Sequence, residues 1–387
     1  MTGEPMKIVR VETFLVPPRW LFVRVETDEG VAGWGEPVLE GRAGTVRTAV
    51  HELAELLAGA DPLRIEDNWQ LLTKGAFYRG GPILASAVAG IDQALWDIAG
   101  KVRGAAVHEL LGGPVRERVR MYAWVAGDDA ASIADSAARA VAHGLTAVKL
   151  LGCPGTLGPI DTPAQTDLLL RRVAAVREVL GPERDVAIDF HGRFSPAMAR
   201  RVLPLLEPFE PLFVEEPVLP EFGHLLPEIV AGTSIPIATG ERLFSRGDFL
   251  PALQAGIAVA QPDLSHAGGI SEVRRIAVVA ETFGASLAPH CPLGPLALAS
   301  SLQVDLASPN FLVQEQALGL EADGGSEVLA GLVDEQPFTM VDGHLLRPRG
   351  PGLGIEVDEQ AVRRAAQIGH SYRITPWRHP DGSLAEL

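Results

Sequence analysis

Apolar and polar positions along the chain follow two different rhythms. Near the start, Ile8–Val16 and Leu21–Thr27 alternate with period two, and Asp28-Glu29-Gly30 turns into Val31–Gly35, the pattern of antiparallel strands joined by hairpins. Gly44–Leu57, Pro62–Leu72 and the Ala-rich Pro82–Val102 then read as helices. From Val115 onward short apolar runs alternate with helical ones. The predicted strands are Arg118–Trp124, Ala147–Leu151, Val186–Asp189, Leu212–Glu215, Ile235–Thr239, Ile257–Asp263, Ser286–His290 and Phe311–Glu315, with helices such as Pro163–Val179 and Gly269–Phe283 between them. That rhythm predicts an α/β fold, a modified (β/α)8 TIM-type barrel, rather than an open doubly wound sheet. The expected division is an α+β capping domain over residues 1–114 and the barrel over 115–320. A C-terminal segment, 321–387, is expected to return to the capping domain through Gly343–Leu346 and the Gly/Pro-rich turn at 348–352.

Six polar residues close successive apolar runs: Asp189, Glu215, Glu241, Asp263, His290 and Glu315, spaced by 26, 26, 22, 27 and 25 residues. One such spacing is about the length of a strand plus a helix, and the C-terminal strand ends of a barrel build its active site. Asp189, Glu215 and Glu241 would then converge on one point, a set of hard oxygen ligands that suits Mg²⁺ better than zinc. Each acid taken alone reads equally well as the N-cap of the helix that follows. In register on consecutive strands, they favour the metal.

His290 ends the strand next to Asp263, so the carboxylate is placed to accept from the imidazole, fix its tautomer and raise its basicity. His191, two residues beyond Asp189, falls on the same side if the strand continues. It is either a general acid or a structural histidine that orients its neighbours. A base and an acid on opposite sides of a metal-held carboxylate suit β-elimination of water, with His290 taking the C2 proton and His191 protonating the departing hydroxyl. Glu315, if protonated, would hydrogen-bond the developing enediolate. Lys149 either supplies positive charge for an anionic substrate or is a solvated lysine.

Composition narrows the alternatives. A net charge of −16 argues against nucleic acid, which needs a basic footprint. The two cysteines, Cys153 and Cys291, suit reduced thiols in a cytoplasmic protein better than a disulfide framework. No signal peptide is read at Met1–Pro5, and no charge-free apolar stretch of membrane-spanning length occurs. The absence of G-x-G-x-x-G after the first strand weakens a dinucleotide-binding reading.

The ordered set of motifs resembles the enolase superfamily in its mandelate racemase branch. It includes Gly33-Trp34-Gly35-Glu36-Pro37, Asp189-Phe190-His191-Gly192-Arg193, Glu215-Glu216-Pro217, Gly240-Glu241-Arg242, Gln261-Pro262-Asp263-Leu264-Ser265-His266 and Ala288-Pro289-His290-Cys291-Pro292. The resemblance implies Mg²⁺ on Asp189, Glu215 and Glu241, a base at His290 assisted by Asp263, an acid at His191 and stabilisation from Glu315. It further implies a homo-oligomer acting on a small anionic sugar acid, with D-galactonate the leading expectation and another aldonate or aldarate the alternative. Trp20 and the Tyr78 loop of the capping domain would close over the sugar chain or simply pack. One departure stands out: the racemases of this branch carry a second lysine where Leu151 stands, and leucine cannot act as a base.

Overall fold

The computed structural model describes residues 5–318 and 329–386. Its N-terminal part is a three-stranded antiparallel sheet, β1 (Ile8–Val16), β2 (Trp20–Thr27) and β3 (Ala32–Gly35), backed by helices Ala43–Ala54, Ile65–Lys74 and Gly81–Arg103. β3 lies so close to the last helix that a Cβ on Gly35 would stand 2.0 Å from the Gly90 carbonyl oxygen, so only glycine allows this approach.

The barrel follows β4 (Arg118–Arg120). Its parallel strands are β5 (Ala123–Val125), β6 (Ala147–Leu151), β7 (Asp185–Asp189), β8 (Phe213–Glu215), β9 (Ile237–Thr239), β10 (Val259–Ala260) and β11 (Ser286–Leu287), hydrogen-bonded in that order. The segment around Phe311–Gln314 takes the eighth place. It bridges Leu287 on one side and Met121 on the other, with the Gln314 amide donating to the Arg120 carbonyl at 2.9 Å. The fold is a capped TIM-type barrel.

Several strands are shorter than the apolar runs suggest. Ile257–Asp263 pairs regularly only at Val259–Ala260, and Ser286–His290 only at Ser286–Leu287. Pro262 and Pro289 lack the N–H that would extend the ladder, although Asp263 and His290 still form a parallel bridge. The predicted Arg118–Trp124 strand divides in two. Its first half, β4, turns away to pair antiparallel with β13 (His344–Leu346), itself paired with β12 (Met340–Val341). Part of the C-terminal segment therefore sits at the foot of the barrel and not on the capping domain. Helix Glu359–Ile368 does lie against the capping sheet, where Arg363 meets Glu12 at 2.7 Å.

The capping domain is fastened directly behind the barrel mouth. Trp69 Nε1 donates to the Gly268 carbonyl at 2.9 Å, Gln93 Nε2 to the Leu264 carbonyl at 2.9 Å, and the buried Asp92 meets Ser271. Glu36 accepts from the amides of Gly294 (2.9 Å) and Ala297 (3.0 Å), capping helix Pro295–Ala307 from the other domain. Among the described residues no helix is long and apolar enough to cross a membrane.

Candidate active site

One layer of the barrel interior explains why the functional side chains meet. Tyr122, Ala147, Ala187, Phe213, Ala238, Val259, Ala288 and Val313 form a buried cluster inside the barrel, one from each strand position. Side chains two residues further along a strand point the same way. Those residues are Trp124, Lys149, Asp189, Glu215, Gly240, Gln261, His290 and Glu315. The one gap is Gly240, whose φ of +145° re-aims the chain, and Glu241 fills the place from the next position.

Asp189 and Glu215 are in register at the ends of β7 and β8, both buried. The capping alternative does not apply to these acids: Ser195 caps the helix after β7, Leu219 stands at the N-cap of the helical turn after β8, and Ser245 caps the helix after β9. Asp189, His191 and Glu241 bring one ligand atom each within 4.8 Å of one another. Glu215 stands just outside that group, next to Asp189 across Lys149. Both its oxygens are taken by Lys149 Nζ, at 2.7 and 2.8 Å, and Gln261 Nε2 donates to it at 2.7 Å. Lys149 is fully buried, 3.2 Å from Glu315 and 4.0 Å from Asp189, with its ammonium over the Trp124 ring. It is not a solvated lysine.

This centre holds more negative than positive charge. Burial, and then the neighbouring Asp189, drive the Glu215 carboxyl well above its ordinary range. Burial also raises Asp189, with Lys149 and His191 opposing it. Two adjacent buried carboxyls that resist ionisation, Glu215 and Asp189, are what a hard divalent cation relieves, so the all-oxygen donor set fits one.

His290 Nδ1 lies 2.8 Å from Asp263 Oδ2. With Nδ1–H donated there, Nε2 is left to face Glu241 Oε2 at 3.5 Å. Burial lowers the imidazole's proton affinity, but Glu241, Glu315 and Asp263 outweigh it and hold the pKa well above the ordinary value. His191 reaches the other oxygen of Glu241, Nε2 to Oε1 3.9 Å. The two imidazoles thus flank one carboxylate. His191 does not arrive by strand continuation. β7 ends at Asp189, and His191 adopts φ +53°, a left-handed turn fixed by its amide donating to Asp189 Oδ1 at 2.6 Å.

Glu315 differs from its expected role. Burial raises its carboxyl, but Lys149, His290, the Cys291 amide and the Trp124 indole together hold it below its ordinary value. It accepts hydrogen bonds here and is not set up to donate one. Trp20 is buried beside Arg19, which donates to the Pro292 carbonyl at 2.6 Å next to the His290 turn. Tyr78 is 85% exposed and stacked edge-to-face on Phe77. Sequence reasoning missed Gln261 and Trp124, although the same period of two that finds Asp189 and Glu315 points to both. It also missed Glu40 and His266, whose Oε2 and Nε2 approach to 3.4 Å across the two domains.

Such a structure is a capped barrel enzyme scaffold with an acidic, histidine-flanked mouth. Residues 5–112 match the mandelate racemase / muconate lactonizing enzyme N-terminal domain, and residues 132–361 match the enolase C-terminal domain-like family. The chain belongs to the enolase superfamily. It is 51% identical over 382 residues to D-galactonate dehydratase of Ralstonia nicotianae, covering 98% of this chain and 100% of that one. It is 48% identical to D-galactonate dehydratase of Pectobacterium atrosepticum with the same coverage. A solved mandelate racemase/muconate lactonizing enzyme from Jannaschia sp. superposes with a TM-score of 0.86 at 34% identity, over 98% of this chain and 100% of that one.

Proposed function

We propose that the protein is a Mg²⁺-dependent sugar-acid dehydratase that converts D-galactonate to 2-dehydro-3-deoxy-D-galactonate. The observation that carries the reading is the pair of imidazoles flanking Glu241, one of them oriented by the buried Asp263. Full-length relatives of that name support the substrate. Asp189 and Glu241 would hold the cation, joined by Glu215 if its carboxylate exchanges a contact with Lys149 for the ion. When bound, it polarises the substrate carboxylate and stabilises the charge that develops as the C2 proton leaves.

The chain's own groups then divide the proton transfers. His290 Nε2 takes the C2 proton, because Nδ1 is committed to Asp263. Nε2 is left free to accept once the carboxylate charge at Glu241, which otherwise favours the protonated imidazole, is offset by the cation held there. His191, from the opposite side of Glu241, donates the proton with which the 3-hydroxyl leaves as water; the resulting enol tautomerises to the 2-keto product. Lys149 keeps Glu215 and Glu315 compensated. Racemisation lacks its second base. Leu151 lies at the mouth in register with Asp189 and cannot exchange a proton. The same apolar contact makes another aldonate or aldarate the alternative substrate. Both cysteines are free and buried, which supports a cytoplasmic setting, and the family resemblance supports a homo-oligomer.

Incubation with a panel of aldonates and aldarates tests the reading. D-Galactonate should yield a 2-keto-3-deoxy acid with Mg²⁺ present and nothing after chelation. Turnover of a different acid would shift the substrate to Leu151 and the capping loops. Silence across the panel would remove the dehydratase reading.

A further inference from the structure

Asp263 does not serve His290 alone. Its Oδ1 accepts from the amides of Ser265 (2.6 Å) and His266 (3.1 Å). Its Oδ2 faces His290 Nδ1 at 2.8 Å and also His266 Nδ1 at 3.6 Å. The His266 and His290 rings lie 6.0 Å apart by their centroids. The other nitrogen of His266 points to Glu40 Oε2 at 3.4 Å, and Glu40 belongs to the capping domain, a few residues beyond β3. A continuous line of side chains therefore runs from the cap to the base: Glu40, His266, Asp263, His290.

We propose that His266, seated by Glu40, is a positioning residue for His290: it fixes the Asp263 carboxylate so that Oδ2 stays aimed at the base, and it ties that aim to the seating of the cap. The inference rests on His290 acting as the base. The physical reason is orientational. A carboxylate anchored through one oxygen by two amides can still pivot about that oxygen by coupled changes of χ1 and χ2, which carries the other oxygen off its aim. A second, buried imidazole beside that oxygen, at 3.6 Å, restrains the pivot by packing and charge. His266 suits this task because it lies between two carboxylates. Burial lowers its proton affinity, but Asp263 and Glu40 more than restore it. Glu40 in turn is held down to about 2, its burial outweighed by His266, His290 and Arg19. At 3.4 and 3.6 Å the contacts of His266 with Glu40 and Asp263 are those of a buried ion pair rather than tight hydrogen bonds, and they hold the ring between the two carboxylates by charge. Arg19 adds a second tie, since it donates to the Pro292 carbonyl just after His290.

His266→Ala, His266→Asn and Glu40→Gln separate this role from simple packing. Substrate C2–H exchange in D₂O and the kcat–KM split are the readouts. His266→Ala should slow exchange about 10–100-fold, the usual range for losing a group that orients a ligating or reacting side chain, with KM within about twofold. His266→Asn keeps a donor toward Asp263 and should recover most of the rate. Glu40→Gln should fall between the two. If the alanine variant does not fold, the other two carry the test. Exchange as fast as wild type in all the folded variants would overturn the proposal. So would an effect confined to KM, which would make His266 a substrate contact, or a loss that asparagine does not repair. Failure of the wild-type protein itself to exchange C2 would instead refute the base assignment, independently of His266.

Discussion

A single buried ammonium, Lys149, stands between Glu215 and Glu315 with no exposure to solvent. Removing one partner of a buried ion pair leaves the other charge uncompensated, at a cost of about 3–5 kcal/mol. Lys149→Met should therefore lower the unfolding midpoint markedly and abolish turnover, and added divalent cation should recover part of the lost stability by binding the native state. An unchanged midpoint would mean that the carboxylates are already neutral. At this scale the sequence is legible where the pleat dictates direction. Asp189, Glu215, His290 and Glu315 each stand two residues beyond an interior barrel side chain, and an apolar run ending in a polar residue reveals that. Lys149's partners are not legible, because Glu215 lies 66 residues away and the choice among carboxylates is made by burial. His191's approach is equally hidden: nothing in Asp189-Phe190-His191-Gly192 announces a positive φ at the histidine.

Helix Gly81–Arg103 and helix Gly269–Thr282 meet at an interface with its own titration. Asp92 is fully buried against Ser271, and a Cβ on Gly269 would stand 2.5 Å from its Oδ2, so the carboxyl is sealed from water. Burial raises its pKa to about 7 from the usual 3.8, and raises Glu36 at the neighbouring contact to about 8. A raised folded-state pKa means that the native state holds the proton more tightly. The contribution is complete below about pH 3.8 and is lost as pH rises through about 7. Asp92→Asn, a mimic of the protonated acid, should match wild type in denaturant unfolding only below about pH 3.8. It should exceed wild type near pH 8, by on the order of 4 kcal/mol for a carboxyl raised from 3.8 to about 7. A difference that does not change with pH would show that Asp92 is ionised throughout. The elements themselves were readable from periodicity, with helices Gly81–Arg103 and Gly269–Thr282 within a residue or so of their apolar patterns. Their docking was not, since it depends on which glycine faces which side chain.

Across the whole molecule, barrel closure converts a linear series of strand ends into a ring, and that ring puts β7 and β11 on different sides of Glu241. The spacing of polar residues makes the ring readable. The division of the first barrel strand and the pairing of β13 with β4 are not, because short edge strands carry weak patterns. The capping domain then encloses the mouth through contacts at 264–271 and 294–297. The account stands on two histidines working from opposite sides, and the fate of the C2 proton of D-galactonate in D₂O tests it most directly. Wild-type protein should dehydrate the acid. His290→Asn should show neither turnover nor C2 exchange, and His191→Asn should exchange C2 while dehydration falls by about 10²–10⁴-fold. Exchange surviving in His290→Asn, or full dehydration by His191→Asn, would contradict the assignment.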